Sequence, residues 1–286
     1  MYLIADSGST KTDWLLAAAS GEQECGTSVD GLVLKTGGCN PYFMSQDEMA
    51  SLFAAARQGL PPSCRVSSIY FYGAGCTPGE KSQMVSNCLK RAFGADCTVE
   101  VSSDMLGAAR ALCGTGEGIA CILGTGSNSC LYDGKQIVAN VSPLGYILGD
   151  EGSGANLGKL LVGNILKDQL GKELKEEFTA TYGTAPEIID RVYRQPFPNR
   201  WLASLSPFIH KHLDHAGVRQ MAMDAFAAFF RRNTACYNRP DLKIGLTGSV
   251  AYYYQEVIAE AAAGQGVSLG KITKSPIEGL KTYHHG

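Results

Sequence analysis

No apolar run in this sequence approaches the ~20 residues that cross a bilayer; the longest, such as 225–230, fall far short. The opening residues, Met-Tyr-Leu-Ile-Ala-Asp, carry no basic segment, and their apolar run is shorter than the ~7–15 residues of a secretory signal. A cytoplasmic protein with no membrane partner is expected. Lys and Arg form no run, and the formal net charge is −2. A nucleic acid or an anionic surface needs a concentrated positive field, so neither is an expected partner. Cysteine is plentiful, at 10 residues, yet no two stand in C-x-x-C spacing and no His lies at ligand spacing from a Cys. A structural zinc site shows at least one close ligand pair, so the thiols are read as reduced core residues. The phosphate motifs G-x-x-x-x-G-K-[ST] and strand-linked G-x-G-x-x-G are also missing.

What the sequence does have is an ordinary globular composition, 45% hydrophobic and 18% charged over 286 residues. That length fits one large domain or two medium ones. Apolar runs at 2–5 and 14–19 flank a Gly/Ser turn and read as a hairpin. Helical periodicity follows at 46–57, 79–93 and 103–112, with strands at 67–72 and 98–101. After Gly114-Thr-Gly-Glu-Gly118 the pattern restarts: an apolar run at 119–123, a Gly/Ser turn, then strands at 130–132 and 136–139 around the Asp133-Gly134 turn. The restart is an internal duplication with a period near 118 residues. Helical segments are expected at 154–169, 187–194, 201–213 and 218–236, then a strand at 243–246, a helix at 251–263, a strand at 267–272 and a last helix at 276–283.

Three small-residue turns follow apolar strands, after Ala5, Leu123 and Leu246. Glycine lets backbone N–H groups approach phosphate oxygens, and Ser and Thr hydroxyls add donors. One such turn is usually only a hairpin; three at strand ends, two in duplicated positions, point to a phosphate-rich ligand.

Asp-Ser-Gly-Ser-Thr-Lys-Thr-Asp-Trp, starting at Asp6, resembles the first phosphate loop of the actin-like ATPase and sugar kinase superfamily. Leu-Gly-Thr-Gly-Ser-Asn, starting at Leu123, resembles its second, and Leu-Thr-Gly-Ser-Val-Ala, starting at Leu246, its adenosine motif. With these, Gly-Asp-Glu-Gly-Ser at 149–153 is similar to the N-acetylglucosamine kinase branch, often grouped with BadF/BadG-type ATPases. The resemblance covers the whole chain in the right order. It implies an α/β fold with two ribonuclease H-like lobes around a nucleotide cleft. The N-terminal lobe would be 1–115, with the helix at 276–286, and the C-terminal lobe 116–275, with a helical insertion at 154–236. It implies ATP and Mg²⁺ as cofactors, a small-molecule sugar as partner, and a homodimer.

Carried over by residue, the resemblance implies that Asp6 holds Mg²⁺ through water. Ser7, Gly8, Ser9, Thr10 and Lys11 would meet phosphate, with Gly124, Thr125 and Gly126 from the second loop. Gly248 and Ser249 would lie along the adenosine. Asp104, in Val-Ser-Ser-Asp, would accept the proton of the attacking sugar hydroxyl. Asn40, Ser127, Asn128, Gly145 and Asp150 would bind the sugar. Each has a plainer reading in isolation: a turn cap for Asp6, a first-turn acid for Asp104, a pre-proline loop residue for Asn40. Three departures stand out. Thr247 occupies a position where many relatives carry Gly, Ser142-Pro-Leu-Gly-Tyr146 replaces their Trp-Gly, and Gly154-Ala-Asn-Leu157 replaces their aromatic pair. N-acetylglucosamine leads, phosphorylated at its 6-hydroxyl; glucosamine, N-acetylmannosamine and muramic acid derivatives stay open. The alternatives are a BadF-type dehydratase activator, disfavoured because no Cys lies between Cys130 and Cys236, and a non-catalytic sugar or ATP sensor, disfavoured by Asp6 and Asp104.

Overall fold

A computed structural model describes residues 1–8, 10–18 and 31–285. The chain divides into two compact units, Met1–Thr115 with Ser275–Gly286, and Gly116–Lys274.

In the first unit, β1 (Tyr2–Ser7) turns directly into β2 (Lys11–Ala17), followed by β3 (Leu32–Gly37). Then come α1 (Gln46–Gln58), β4 (Ser68–Gly73), α2 (Glu80–Phe93), β5 (Thr98–Ser103) and α3 (Asp104–Cys113). The sheet order is β3-β2-β1-β4-β5. The first three strands are antiparallel, and β4 and β5 run parallel to β1. Leu3, Ile4 and Ala5 of the central strand are all buried, as expected where both faces of a sheet are covered. At the edge, β3 alternates half-buried with exposed residues. Ser45 starts α1 with a capping box: its hydroxyl accepts the Glu48 N–H, and the Glu48 carboxylate accepts the Ser45 N–H. Trp14 is fully buried among Phe53, Phe71 and Phe93, and its indole N–H donates to Thr36 Oγ1 at 2.9 Å. A buried indole needs such an acceptor.

The second unit repeats the plan. It opens with β6 (Gly118–Leu123), β7 (Ser127–Tyr132) and β8 (Ile137–Val141). A helical block follows: α4 (Gly145–Leu148), α5 (Gly154–Leu166), α6 (Lys172–Tyr182), α7 (Ala185–Tyr193), α8 (Pro198–Ala203), α9 (Ser206–Lys211) and α10 (Ala216–Phe229). The unit closes with β9 (Ile244–Thr247), α11 (Ser249–Tyr253), α12 (Gln255–Gly264) and β10 (Leu269–Thr273). Its sheet order, β8-β7-β6-β9-β10, is that of the first unit strand for strand. The last helix, α13 (Ile277–His285), belongs to the first unit. It buries Ile277 and Leu280, and His284 stacks on Tyr70 at 3.8 Å while bonding the Tyr72 hydroxyl at 2.7 Å.

Several elements differ from the sequence expectation. Strand β3 and helices α4 and α6 were not anticipated. The expected helix at 201–213 is two, α8 and α9, because Pro207 opens a new helix and cannot continue an old one. The expected helix at 218–236 stops at Phe229 and passes through a π-helical turn, Phe230–Thr234. Most of the described cysteines are buried, but Cys236 is exposed, so the core reading does not hold there; Cys25 lies outside the described residues. Among the described residues no helix is long and apolar enough to cross a membrane.

Candidate active site

In the first unit the singled-out residues collect at the C-terminal ends of β1, β4 and β5, where loops leave a parallel sheet and ligands are commonly bound. The Ser7 hydroxyl is fully buried, 2.7 Å from Thr12 Oγ1, which donates to the Gly37 carbonyl. Ser7 Oγ also accepts the Cys39 N–H at 3.0 Å. Its hydroxyl therefore ties the first turn to the 37–40 loop instead of facing outward. Gly8 closes the turn by donating to the Lys11 carbonyl, and the Thr10 carbonyl accepts from Gly38. Thr10 and Lys11 are exposed; Ser9 lies outside the described residues.

Three carboxylates share this end of the sheet. Asp6 faces Asp13 across the β1–β2 ladder. Asp104 begins α3, capped by Ser103, whose hydroxyl accepts the Leu106 N–H. Burial, then the Asp104 and Asp13 charges, push Asp6 up to about 7, against the pull of Lys11 and a hydrogen bond from the Ser275 hydroxyl. Burial alone raises Asp104 to about 6, opposed by the backbone N–H groups of Met105 and of Asp104 itself. Asp13 is 5% exposed; one of its oxygens pairs with Lys11 Nζ at 2.8 Å and the other finds no partner among the described residues. Asn40 adjoins this group. Its Oδ1 accepts the Tyr42 N–H and presses on Gly75, whose φ of +77° and missing Cβ leave it room.

In the second unit, Gly124 donates to the Gly126 carbonyl, and the N-terminus of α5 docks on the same turn through Gly154→Gly124 and Ala155→Thr125 bonds. The N–H groups of Thr125 and Gly126 find no acceptor among the described residues. Two such amides at a glycine turn suit a phosphate oxygen. Asp150 is held in the left-handed region, φ 54°, strain of the kind found at ligand sites. This aims its carboxylate at Gly126 and at the Ser127 N–H, 3.2 Å away. Burial raises the Asp150 pKa, and the Ser127 N–H opposes that. Glu151, next to it, is held by Arg232 Nε at 2.9 Å and Asn233 Nδ2 at 3.2 Å, both presented by the π-helical turn. Gly145 is exposed at the start of α4.

The third turn packs on the second. Gly248 has φ +118°, and a Cβ there would overlap the Leu123 carbonyl. Only glycine lets these two loops meet. Thr247, the departure from Gly, is buried and accepts a hydrogen bond from Thr273 at 3.0 Å, so its hydroxyl turns inward. Ser249 is exposed at the start of α11. The second loop, the 149–153 string and the third turn are thus brought together within this unit, and the first loop, Asn40 and Asp104 within the other. Sequence reasoning missed Asp13, Ser275, Arg232, Asn233 and Asn140. Of these only Asp13 had a local signal, its place across the hairpin from Asp6.

Among described residues no group of three or more His, Cys, Asp or Glu is disposed to chelate an ion directly. Asp6, destabilised as an anion by burial and then by Asp104 and Asp13, nonetheless suits a dication held mainly through water.

Comparison with known proteins places the fold and the family. The chain is 47% identical to a candidate N-acetylglucosamine kinase from Porphyromonas gingivalis, covering 100% of this chain and 99% of that one, with a TM-score of 0.89. It shares its fold with a candidate N-acetylglucosamine kinase from Chromobacterium violaceum, at 18% identity, 99% coverage of both chains and a TM-score of 0.69. The fold is also that of a ROK family glucokinase from Streptomyces griseus in complex with glucose and AMPPNP, at 14% identity, 99% and 97% coverage and a TM-score of 0.58. No family model and no curated protein matches the chain.

Proposed function

The chain belongs to the N-acetylglucosamine kinase family of actin-like sugar kinases, and on that premise we propose that it transfers the γ-phosphoryl group of ATP to the 6-hydroxyl of N-acetylglucosamine. The observation that carries the chemistry is Asp104, fixed at the first turn of α3 with its pKa raised to about 6. A general base works best when its pKa lies near the operating pH. Asp104 takes the hydroxyl proton as the sugar oxygen attacks the γ-phosphorus; the bond from that phosphorus to the bridging oxygen breaks, and ADP leaves. Thr10, Lys11, Thr125 and Gly126 supply donors for the phosphate oxygens, whose charge is spread in a loose transition state. Asn40, Asn128 and Asp150 orient the sugar, and Gly248 and Ser249 border the nucleoside. Asp6 would hold Mg²⁺ through water, and the ion would neutralise charge on the β- and γ-phosphates.

A coupled ADP-release assay over N-acetylglucosamine, glucosamine, N-acetylmannosamine and glucose tests this. Sugar-dependent ADP release, strongest with N-acetylglucosamine, is expected. ADP release that ignores the sugar would refute it.

A further inference from the structure

Asn128 and Asn140 stand on the neighbouring strands β7 and β8, and backbone groups of fixed chemistry orient both amides. The Ser129 N–H lies 2.9 Å from one end of the Asn128 amide. That end is the oxygen, because an N–H needs an acceptor. One end of the Asn140 amide faces both that oxygen, at 2.9 Å, and the Ser129 carbonyl. Between two acceptors it can only be the nitrogen. Asn128 Oδ1 therefore holds two donors, and Asn128 Nδ2 finds no acceptor among the described residues. Asn128 is half-buried and follows Ser127, whose N–H binds Asp150. What it offers a ligand is a donor only.

We propose that Asn140 is a specificity-positioning residue: it locks Asn128 as a fixed NH₂ donor, so the sugar substituent opposite must present an oxygen acceptor, as an acetamido carbonyl does, and a free ammonium is rejected. The inference rests on the kinase reading above. An ammonium has three donors and no acceptor, so against Asn128 Nδ2 both groups would stay unpaired. A freely rotating Asn128 could turn its oxygen to an ammonium and lose the distinction. Asn140 and the Ser129 N–H together prevent that turn. Hydroxyls donate and accept alike, so the device separates acetamido from amino sugars and leaves neutral hydroxyl patterns to other residues.

The test is kcat/KM for N-acetylglucosamine and for glucosamine in the wild type, Asn140→Val and Asn128→Asp. Valine suits an exposed strand position. In Asn140→Val the preference for N-acetylglucosamine should shrink by roughly three- to tenfold, the worth of one neutral hydrogen bond. The change should appear in KM, with kcat little altered, which a general loss of folded protein would not produce. Asn128→Asp, which replaces the donor with an acceptor, should favour glucosamine, and it carries the test should the valine variant fail to fold. An active wild type whose preference is unchanged in a folded Asn140→Val, or in Asn128→Asp, overturns this inference and leaves the kinase reading standing. A wild type that phosphorylates neither sugar overturns the kinase reading and this inference together.

Discussion

The two hairpins at the heads of the two sheets share a topology and differ in chemistry. In the first unit the last cross-strand pairs are Asp6 with Asp13 and Ser7 with Thr12; in the second they are Ile122 with Asn128 and Leu123 with Ser127. One hairpin thus ends in two carboxylates, the other in an aliphatic residue and an amide. Their surroundings follow suit. Asp104 adds a third acid beside the first, while free amides and the Asn128 donor mark the second, with Asp150 and Glu151 its neighbouring acids. Duplication supplied the glycine turn twice. Two or three residues make the end of one hairpin acidic and leave the other lined with amide donors.

The largest expected effect breaks the acidic side. Asp104→Asn should lower turnover by roughly 100-fold or more while leaving ATP affinity nearly intact, as read by steady-state kinetics and nucleotide titration. Next comes the packing of the second side. Gly248→Ala forces a Cβ onto the Leu123 carbonyl at φ +118° and should cost about 2 kcal/mol or more, lowering the melting temperature by about 4–8 °C. Gly8→Ala, at the β1–β2 turn of the first unit, meets only the Lys11 carbonyl at 3.8 Å and should melt like the wild type. Equal melting of the two variants would erase the contrast.

Asp104 also links stability to pH. Its carboxyl titrates near 6 in the folded chain against an ordinary 3.8, so between those values the folded state holds more protons than the unfolded one. Stability then falls as pH rises from about 4 through about 6. Asp104→Asn removes that loss. It should stabilise the ligand-free protein by about 1–2 kcal/mol at pH 8, the gain shrinking toward zero near pH 4 in denaturant titrations. The smallest effect is expected from Asp13→Asn. With one like charge gone, Asp6 ionises more easily, and the acidic limb of the pH–rate profile should move down by about half a pH unit or less.

The sequence was legible where the signal is local. An apolar run followed by Gly and Ser marks a strand and its turn, so all three loops could be named in advance; the acid at the start of α3 stood out only through the family resemblance. Features that depend on register or on distant segments were hidden. Asn140 acts on Asn128 only because β8 pairs with β7, and Arg232 reaches Glu151 only through a π-helical turn that no periodicity announces. The Ser275 hydroxyl meets Asp6 from the far end of the chain. Ser7 looked like a phosphate donor because it lies in a Gly/Ser turn; its strand position buries it. Helix α6, Lys-Glu-Leu-Lys-Glu-Glu-Phe-Thr-Ala-Thr-Tyr, escaped notice because it buries only Leu174 and Phe178, too few for a periodic stripe.

The most direct test of the kinase account is ³¹P NMR of ATP mixed with N-acetylglucosamine, Mg²⁺ and the protein. One sugar 6-phosphate should appear for each ADP formed, with no inorganic phosphate. Inorganic phosphate in its place, or an ATP spectrum that does not change, would contradict the account.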